Sequence, residues 1–204
     1  MDKFSYALGV SVGQQLLGSG VTRLDYDDFV NGLDTALQEK EPVLSGEEGN
    51  KVLSDYFENV KREQLKKNKE ENAINKKKGE EYLKENKSKD GVEVTRSGLQ
   101  YKVITKSTDP NKKTPVSYSR VKCHYEGRFI DGNVFDSSYK RNEPAVFGLN
   151  QVIPGWTEGL QLMGVGDKYE FTLPSELAYG DVGVPGHIPG NSVLIFTVEL
   201  LDVL

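Results

Sequence analysis

The sequence has very few of the side chains on which most enzyme and metal chemistry depends. Its 204 residues include one cysteine and two histidines, which excludes an internal disulfide framework and a cysteine-cluster zinc site. No apolar run approaches the ~20 residues that a membrane span needs. The net charge of -5 argues against electrostatic binding to nucleic acid, which requires a basic face. The opening residues 1–4 do not begin an export signal, so we expect a cytosolic protein or one whose signal has been removed.

Proline divides the chain into two parts of different character. Seven of the eight prolines lie at or after Pro110, and only Pro42 precedes them. Strand-like alternation of apolar and polar residues begins only after residue 92. We therefore predict a helical domain over 1–60, a charged helical arm over 61–90 and a strand-rich domain over 91–204.

The first part is predicted to contain three helices. Asp25 is a favourable N-cap for the second, and Ser45 with Glu48 forms the capping-box pattern that begins the third. The first helix has an apolar residue at every fourth position, which places these side chains on one face: Phe4, Leu8, Val12 and Leu16. Gly9 and Gly13 lie in the same helix, where they either permit close approach of another helix or are simply tolerated.

After Val60 the apolar stripe fades into lysine, glutamate and asparagine, so the helix is expected to continue to about residue 88 as a solvated arm. A helical unit of ~60 residues supports only a marginal core by itself. Its apolar faces are numerous for that size. We therefore predict a homodimer formed through residues 1–60.

The second part has the alternation of an antiparallel sheet. The alternating segments are 99–104, 121–125, 169–173 and 194–201. One short helix is expected at Trp156–Met163, where Pro154 and Gly155 introduce it. The predicted class is α+β, with a half-wrapped antiparallel sheet around a single short helix.

Three motifs that can indicate catalysis or ligand binding are better explained by structure. The segment Gly9–Gly13 matches a nucleophile-elbow pattern, but it lies inside a helix and not after a strand. Cys123 and His124 are neighbours on a strand and point to opposite faces, which disfavours a shared metal. The basic run Lys76–Lys78 is flanked by glutamates that cancel its charge. No phosphate-binding glycine motif occurs, and we predict neither a metal nor a cofactor.

What remains is a set of aromatic residues beside turns, accompanied by aliphatic residues. Its members are Tyr125, Phe135, Phe147, Trp156, Tyr179 and Phe196, with Val152, Ile153 and Ile188. Any one of them taken alone is more simply a core residue. However, Trp156 follows a loop-to-helix junction and Tyr179 lies in a loop, and aromatic residues at such junctions commonly line pockets.

Five separated motifs of the second part resemble the FKBP family of peptidyl-prolyl isomerases in order and spacing. They are VKCHYEG at 121–127, GNVFDSS at 132–138, VIPGWTEG at 152–159, LPSELAYG at 173–180 and LIFTVELL at 194–201. The match covers about residues 95–204. Residues 3–98 resemble the amino-terminal dimerisation domain of bacterial FkpA- and Mip-type FKBPs.

The resemblance implies a role for each residue of the aromatic set. Trp156 would form the floor of a proline pocket, and the walls and one side would be Tyr125, Phe135, Phe147, Phe196, Val152 and Ile153. Tyr179 would offer its hydroxyl to a substrate carbonyl, and Asp136 would be the one charged group facing in. The resemblance thus implies that the catalytic residues are Tyr125, Asp136 and Tyr179. Ile188 matches a loop aliphatic residue, but Val184 and His187 depart from the pattern that eukaryotic members often show in this loop.

We therefore expect a dimeric isomerase that acts on X-Pro bonds of unfolded or folding proteins and that also has chaperone activity. The alternative is a binding module, a dimeric chaperone in which the pocket is a weak anchor. The resemblance also implies macrolide ligands and a place in the bacterial cell envelope or periplasm, the export signal being absent from this chain, with the cytoplasm as the other option.

Overall fold

The computed structural model describes all 204 residues and contains two compact units, Met1–Lys66 and Lys67–Leu204. The first consists of helices, and the second contains an open antiparallel sheet and one short buried helix. The predicted α+β class is confirmed. The three-part division at residues 60 and 90 stays a prediction.

The first unit contains helices α1 (Lys3–Gly18) and α2 (Tyr26–Leu37) and the beginning of α3 (Gly46–Asn86). The carboxylate of Asp25 accepts hydrogen bonds from the backbone N–H groups of Asp27 and Asp28 in the first turn of α2. Ser45 and Glu48 hydrogen-bond reciprocally at the start of α3. Both predicted caps are confirmed, because a cap depends only on residues within one helical turn.

The apolar faces of the first unit remain largely uncovered within one chain. None of its residues is buried. Phe4 and Leu37 are each 75% exposed and Leu53 is 58% exposed. A Cβ added at Gly9 or Gly13 would meet nothing within 4 Å, so no helix of the same chain uses the space that these glycines leave.

The last five turns of α3 belong to the second unit and pack on its strands and loops through polar side chains. Gly79 and Asn86 are buried. The amide of Asn86 donates to Gln100 at 2.9 Å, and that of Asn72 donates to the carbonyl of Asp181 at 2.7 Å. The expectation of a wholly solvated arm is therefore too broad, because contacts made by asparagine leave no apolar stripe in the sequence.

The sheet of the second unit is antiparallel throughout. Its strands are β1 (Val92–Val94), β2 (Gln100–Thr105), β3 (Arg120–Phe129), β4 (Val134–Ser137), β5 (Ala145–Gly148), β6 (Lys168–Leu173) and β7 (Leu194–Val203). They are ordered β1-β2-β6-β7-β3-β4, and β5 pairs with the first half of β3. The long strands β3 and β7 form the centre, so residues of both face the core.

Helix α4 (Pro154–Leu160) packs closely on this sheet. It begins two residues before the predicted start. It ends three residues before the predicted end, because a turn follows Leu160. A Cβ at Gly159 would lie 2.8 Å from the ring of Phe171, and one at Gly155 would lie 2.4 Å from Leu173. These two glycines let the helix approach the sheet closely, which fixes the position of Trp156 between them.

A buried carboxylate ties the loops at one end of the sheet together. Asp167 is 1% exposed and accepts hydrogen bonds from the backbone N–H groups of Ser107 and Gly164 at 2.7 and 2.8 Å. The ammonium of Lys112 lies 2.7 Å from it. Burial by itself raises the pKa of Asp167, but these hydrogen bonds and the lysine charge lower it below its ordinary value.

We expect Asp167→Ala to lower the free energy of unfolding by about 3 kcal/mol, because a half-buried lysine and two backbone donors lose their partner. Thermal unfolding followed by near-ultraviolet circular dichroism should show a midpoint about 10 °C lower. Since the folded-state pKa of Asp167 is depressed, its stabilisation is complete above the unfolded pKa of about 3.9 and is lost as pH falls through the folded value. The difference from wild type should therefore shrink in acid.

Asp202→Ala is the matched control, because this partly exposed carboxylate bonds only to the N–H of Val203 beside it. Its midpoint should stay within about 2 °C of wild type. Equal midpoints for the two variants would contradict the role given to Asp167.

Candidate active site

The indole of Trp156 lies at the centre of the aromatic set. Trp156 is 4% exposed and makes edge-to-face contacts with Tyr125, Phe147 and Phe196, with ring centroids 5.2, 5.5 and 5.3 Å apart. These geometries are favourable for aromatic quadrupoles. Helix α4 supplies the floor and strands β3, β5 and β7 supply one ring each. The structure therefore brings together residues that are 71 positions apart in the chain (196 − 125).

Two further rings continue the aromatic surface away from Trp156. Phe135 packs edge-on against Phe196 at 5.6 Å, and Phe129 packs against Phe135 at 5.0 Å. A Cβ at Gly127 would lie 2.6 Å from Phe135 and 2.7 Å from Phe196. The missing side chain at Gly127 thus provides the space in which these two rings meet.

The side chains of Tyr125, Asp136 and Arg141 form a hydrogen-bonded polar edge of the aromatic site. The hydroxyl of Tyr125 donates to Asp136, and the guanidinium of Arg141 donates to the other oxygen of the same carboxylate. Arg141 also donates to the Tyr125 hydroxyl at 3.0 Å and lies 5.8 Å from the centre of its ring. Both hydrogen-bonding functions of Tyr125 are thereby used, and its ring is fixed against Trp156.

These contacts set the protonation states of the polar edge. Partial burial raises the pKa of Asp136, but the hydrogen bonds from Tyr125 and Arg141 and the charge of Arg141 bring it below its ordinary value. The pKa of Tyr125 is raised, first by burial and then by its hydrogen bond to Asp136. At neutral pH the carboxylate is therefore ionised and the phenol protonated.

The remaining predicted residues lie in a loop and immediately before α4. Tyr179 follows a short 3-10 turn, is 39% exposed, and has a pKa raised by burial and by the charge of Asp136. Ile188 is buried and forms a bridge with Val184 in the same loop. Val152 and Ile153 pack against the core immediately before α4. Val152, Ile153 and Ile188 thus belong to the same core cluster as Trp156, and Tyr179 lies within range of the charge of Asp136. Their part in substrate binding stays a prediction.

Sequence reasoning missed Arg141 and Gly127. Arg141 follows β4 in a turn and has no periodicity that would single it out. The only available signal was that a lone carboxylate at a pocket, Asp136, needs a cationic partner, and Arg141 lies five residues later. Gly127 lies inside β3, and a glycine within a strand pattern does indicate close approach of other groups.

Nowhere in the chain do three or more histidine, cysteine, aspartate or glutamate side chains come together as metal ligands. The one buried side-chain nitrogen or oxygen atom without a hydrogen-bond partner is Nε1 of Trp156. The site therefore consists of aromatic rings in edge-to-face contact, one ionised carboxylate with its arginine, and phenol hydroxyls.

Comparison with known proteins agrees with this geometry. Residues 111–201 match the family model described as FKBP-type peptidyl-prolyl cis-trans isomerase, and residues 1–103 match the domain amino terminal to it. The FKBP-type isomerase FkpA of Aeromonas hydrophila is 46% identical over 99% of this chain and 76% of its own length. The chain belongs to the FKBP-type peptidyl-prolyl cis-trans isomerases.

Two further relatives extend the likeness over both units. The crystal structure of FkpA from Escherichia coli has a TM-score of 0.73 at 39% identity, covering 98% of this chain and 95% of that one. The outer membrane protein MIP of Legionella longbeachae is 38% identical over 99% of this chain and 85% of its own length. The predicted family, fold and isomerase activity are confirmed. No helix of this FKBP-type isomerase is long and apolar enough to cross a membrane.

Proposed function

We propose that this isomerase acts at the aromatic site around Trp156, with proline held on the indole and the polar edge beside the X-Pro carbonyl. The observation that carries the proposal is the buried indole enclosed by three edge-on rings, with one ionised carboxylate at its border. A flat apolar surface of this kind fits the pyrrolidine ring of proline, and the site lies in the domain that the isomerase family model matches.

The site lowers the rotation barrier by changing the surroundings of the amide. Rotation about an X-Pro bond takes tens to hundreds of seconds in water, because resonance gives the C–N bond double-bond character. The planar amide is more charge-separated than the twisted one, so water stabilises the planar form more. A site lined by Trp156, Phe147 and Phe196 withdraws that solvation and favours the twisted state over both planar ones.

Asp136 acts as an ionised group that fixes the polar edge. Its pKa lies below the ordinary value, and both its oxygens accept hydrogen bonds from Tyr125 and Arg141. It therefore has no proton to donate at neutral pH, which argues against general-acid catalysis. Instead it aligns the ring of Tyr125 against Trp156 and places a negative charge at the border of the site.

Tyr179 supplies the hydrogen bond to the substrate carbonyl in this proposal. Its raised pKa keeps the phenol protonated, so the hydroxyl remains a donor. It is partly exposed at the rim, whereas the hydroxyl of Tyr125 is occupied by Asp136 and Arg141. Tyr179 is therefore the phenol that can bind an incoming carbonyl without breaking an existing contact.

We expect Asp136→Ala and Tyr179→Phe each to lower kcat/KM by up to about tenfold without unfolding the domain, because each removes one hydrogen-bonding group, worth ~0.5–1.5 kcal/mol in the transition state. The measurement is a protease-free isomerisation assay with a four-residue peptide that has leucine before proline. Asp90→Ala and Tyr118→Phe are matched controls at exposed positions and should keep the wild-type rate. Wild-type rates for both test variants would exclude the proposed roles.

We further propose that the natural substrates are proline-containing unfolded chains held by a homodimer formed through the first unit. The support is the uncovered apolar surface of α1, α2 and early α3, together with the amino-terminal family match. The likeness to the outer membrane protein MIP of Legionella longbeachae supports a place in the cell envelope. A flat aromatic floor also fits macrolide ligands of the FKBP family.

The same uncovered surface favours a second function, a chaperone that holds unfolded chains without isomerising them. Exposed apolar patches on soluble proteins indicate interaction sites. Suppression of the aggregation of a proline-free unfolded protein would demonstrate this function separately, because the proline site cannot contribute to it.

A further inference from the structure

A groove of about 510 Å³ opens beside the aromatic site, within the second unit. One wall is part of the second half of α3, where Glu71, Asn75 and Lys78 face it at helical spacing. The other side is formed by the end of β3 and by the loop that precedes β7. The volume lies within the ~300–1,000 Å³ range of ligand-binding clefts.

The apolar side chains that line the groove are buried or half-buried and the charged ones are exposed, so the floor is apolar and the borders are polar. The apolar residues that line it are Phe129, Ile130, Pro189 and Val193. Asp131 and His187 lie at its borders with the charged residues of α3. An apolar floor with polar borders suits an extended polypeptide segment. Alternate side chains of such a segment can pack on the floor while its backbone binds the polar borders.

Hydrogen bonds between α3 and the loop that precedes β7 hold the groove open. Asn72 donates to the carbonyl of Asp181 at 2.7 Å, and Asn191 donates back to the carbonyl of Asn72 at 3.2 Å. Asn75 donates to Gly190 at 3.3 Å. The close seat of α3 also depends on Gly79, where a Cβ would lie 2.8 Å from Val193.

A row of ring contacts links the groove to the proposed proline site. Phe129 lines the groove and packs on Phe135. Phe135 contacts Phe196, which contacts Trp156. A chain that places its proline on Trp156 and continues over Phe135 therefore passes over Phe129 into the groove.

We infer that this groove is a second subsite, which binds the flank of the polypeptide substrate that leaves the proline site past Phe129. The inference rests on the proposed site at Trp156. It assigns to α3 a direct part in substrate binding by the isomerase domain, and to Lys78 and Ile130 contacts with substrate residues several positions away from the proline. Binding energy gained there raises kcat/KM for long substrates but not for short ones.

The test compares a four-residue proline peptide with two twelve-residue versions, one extended on its amino side and one on its carboxyl side, using the full chain. For wild type, one extension should raise kcat/KM about threefold to tenfold. Lys78→Trp fills the groove and Ile130→Asp places a charge on its floor, so both should remove this gain while leaving the four-residue rate unchanged. Lys77→Trp is the matched control, because Lys77 is equally exposed on α3 but does not line the groove. It should retain the gain.

Three results would overturn the inference. These are no gain with either extension, a gain that survives in both Lys78→Trp and Ile130→Asp, and an equal loss of the gain in Lys77→Trp. Failure of the proposed proline site would be recognised differently. In that case Trp156→Ala, which leaves the groove in place, would keep the wild-type rate on the four-residue peptide.

Discussion

Trp156→Ala is expected to lower kcat/KM for a four-residue proline peptide at least about 100-fold. The substitution removes the apolar floor on which proline is held and leaves three surrounding rings without the indole that they pack against edge-on. A loss of about 2.7 kcal/mol in transition-state binding corresponds to 100-fold in rate. The assay is protease-free and is run at 10 °C, where a destabilised domain remains folded.

The matched control is Leu160→Ala, at the other end of the same helix. Leu160 is fully buried in the core, so its truncation should cost about 2–5 kcal/mol of stability, similar to the ~3–5 kcal/mol expected for Trp156→Ala. Its rate should stay within about threefold of wild type. A comparable loss of rate in both variants would mean that Trp156 acts only through stability, and the proposed site would be wrong.

Leu53→Glu is expected to convert the full chain from a dimer to a monomer and to slow its catalysis of proline-limited protein refolding at least about tenfold. Leu53 is an apolar residue of α3 that is 58% exposed in one chain, and we expect the dimer to cover it. Glutamate at this position would place an unpaired charge in the interface and oppose pairing of two copies. Two linked sites hold one long chain at raised effective concentration, an advantage that a monomer loses. The rate on a four-residue peptide should not change, because a short peptide occupies one site.

Sedimentation equilibrium, the peptide assay and the refolding assay are measured on the same samples. Lys51→Glu, two residues earlier and also exposed on α3, is the control and should remain dimeric with wild-type refolding activity. A monomeric wild type would refute the dimer. A monomeric Leu53→Glu that refolds proteins as fast as wild type would refute the advantage of linked sites.

The strands and the caps could be predicted because their signals are local. Alternation along 121–125 and 194–201 indicates one buried face, and β3 and β7 are found there with longer bounds. The carboxylate of Asp25 needs only the next three residues to cap its helix. The aromatic set could also be predicted from the sequence, because its members lie beside turns and match family motifs.

The contacts that position the site could not be predicted, because they join distant polar groups. Asn72 reaches a carbonyl 109 residues away, and an asparagine in a charged helix does not differ in pattern from a solvated one. Arg141 owes its role to the geometry of the turn after β4, which places it over Tyr125. Gly127 matters through what its Cβ would displace, and a sequence does not show which rings approach a strand.

The single tryptophan of the chain allows a direct test of the central claim that isomerisation takes place on Trp156. The indole N–H of Trp156 gives one nuclear magnetic resonance signal, and exchange between the cis and trans forms of an Ala-Leu-Pro-Ala peptide is measured in the same sample. Micromolar full-length protein should accelerate this exchange, and the indole signal should shift with this peptide but not with Ala-Leu-Ala-Ala. No acceleration, or acceleration without a shift of the indole signal, would contradict the account.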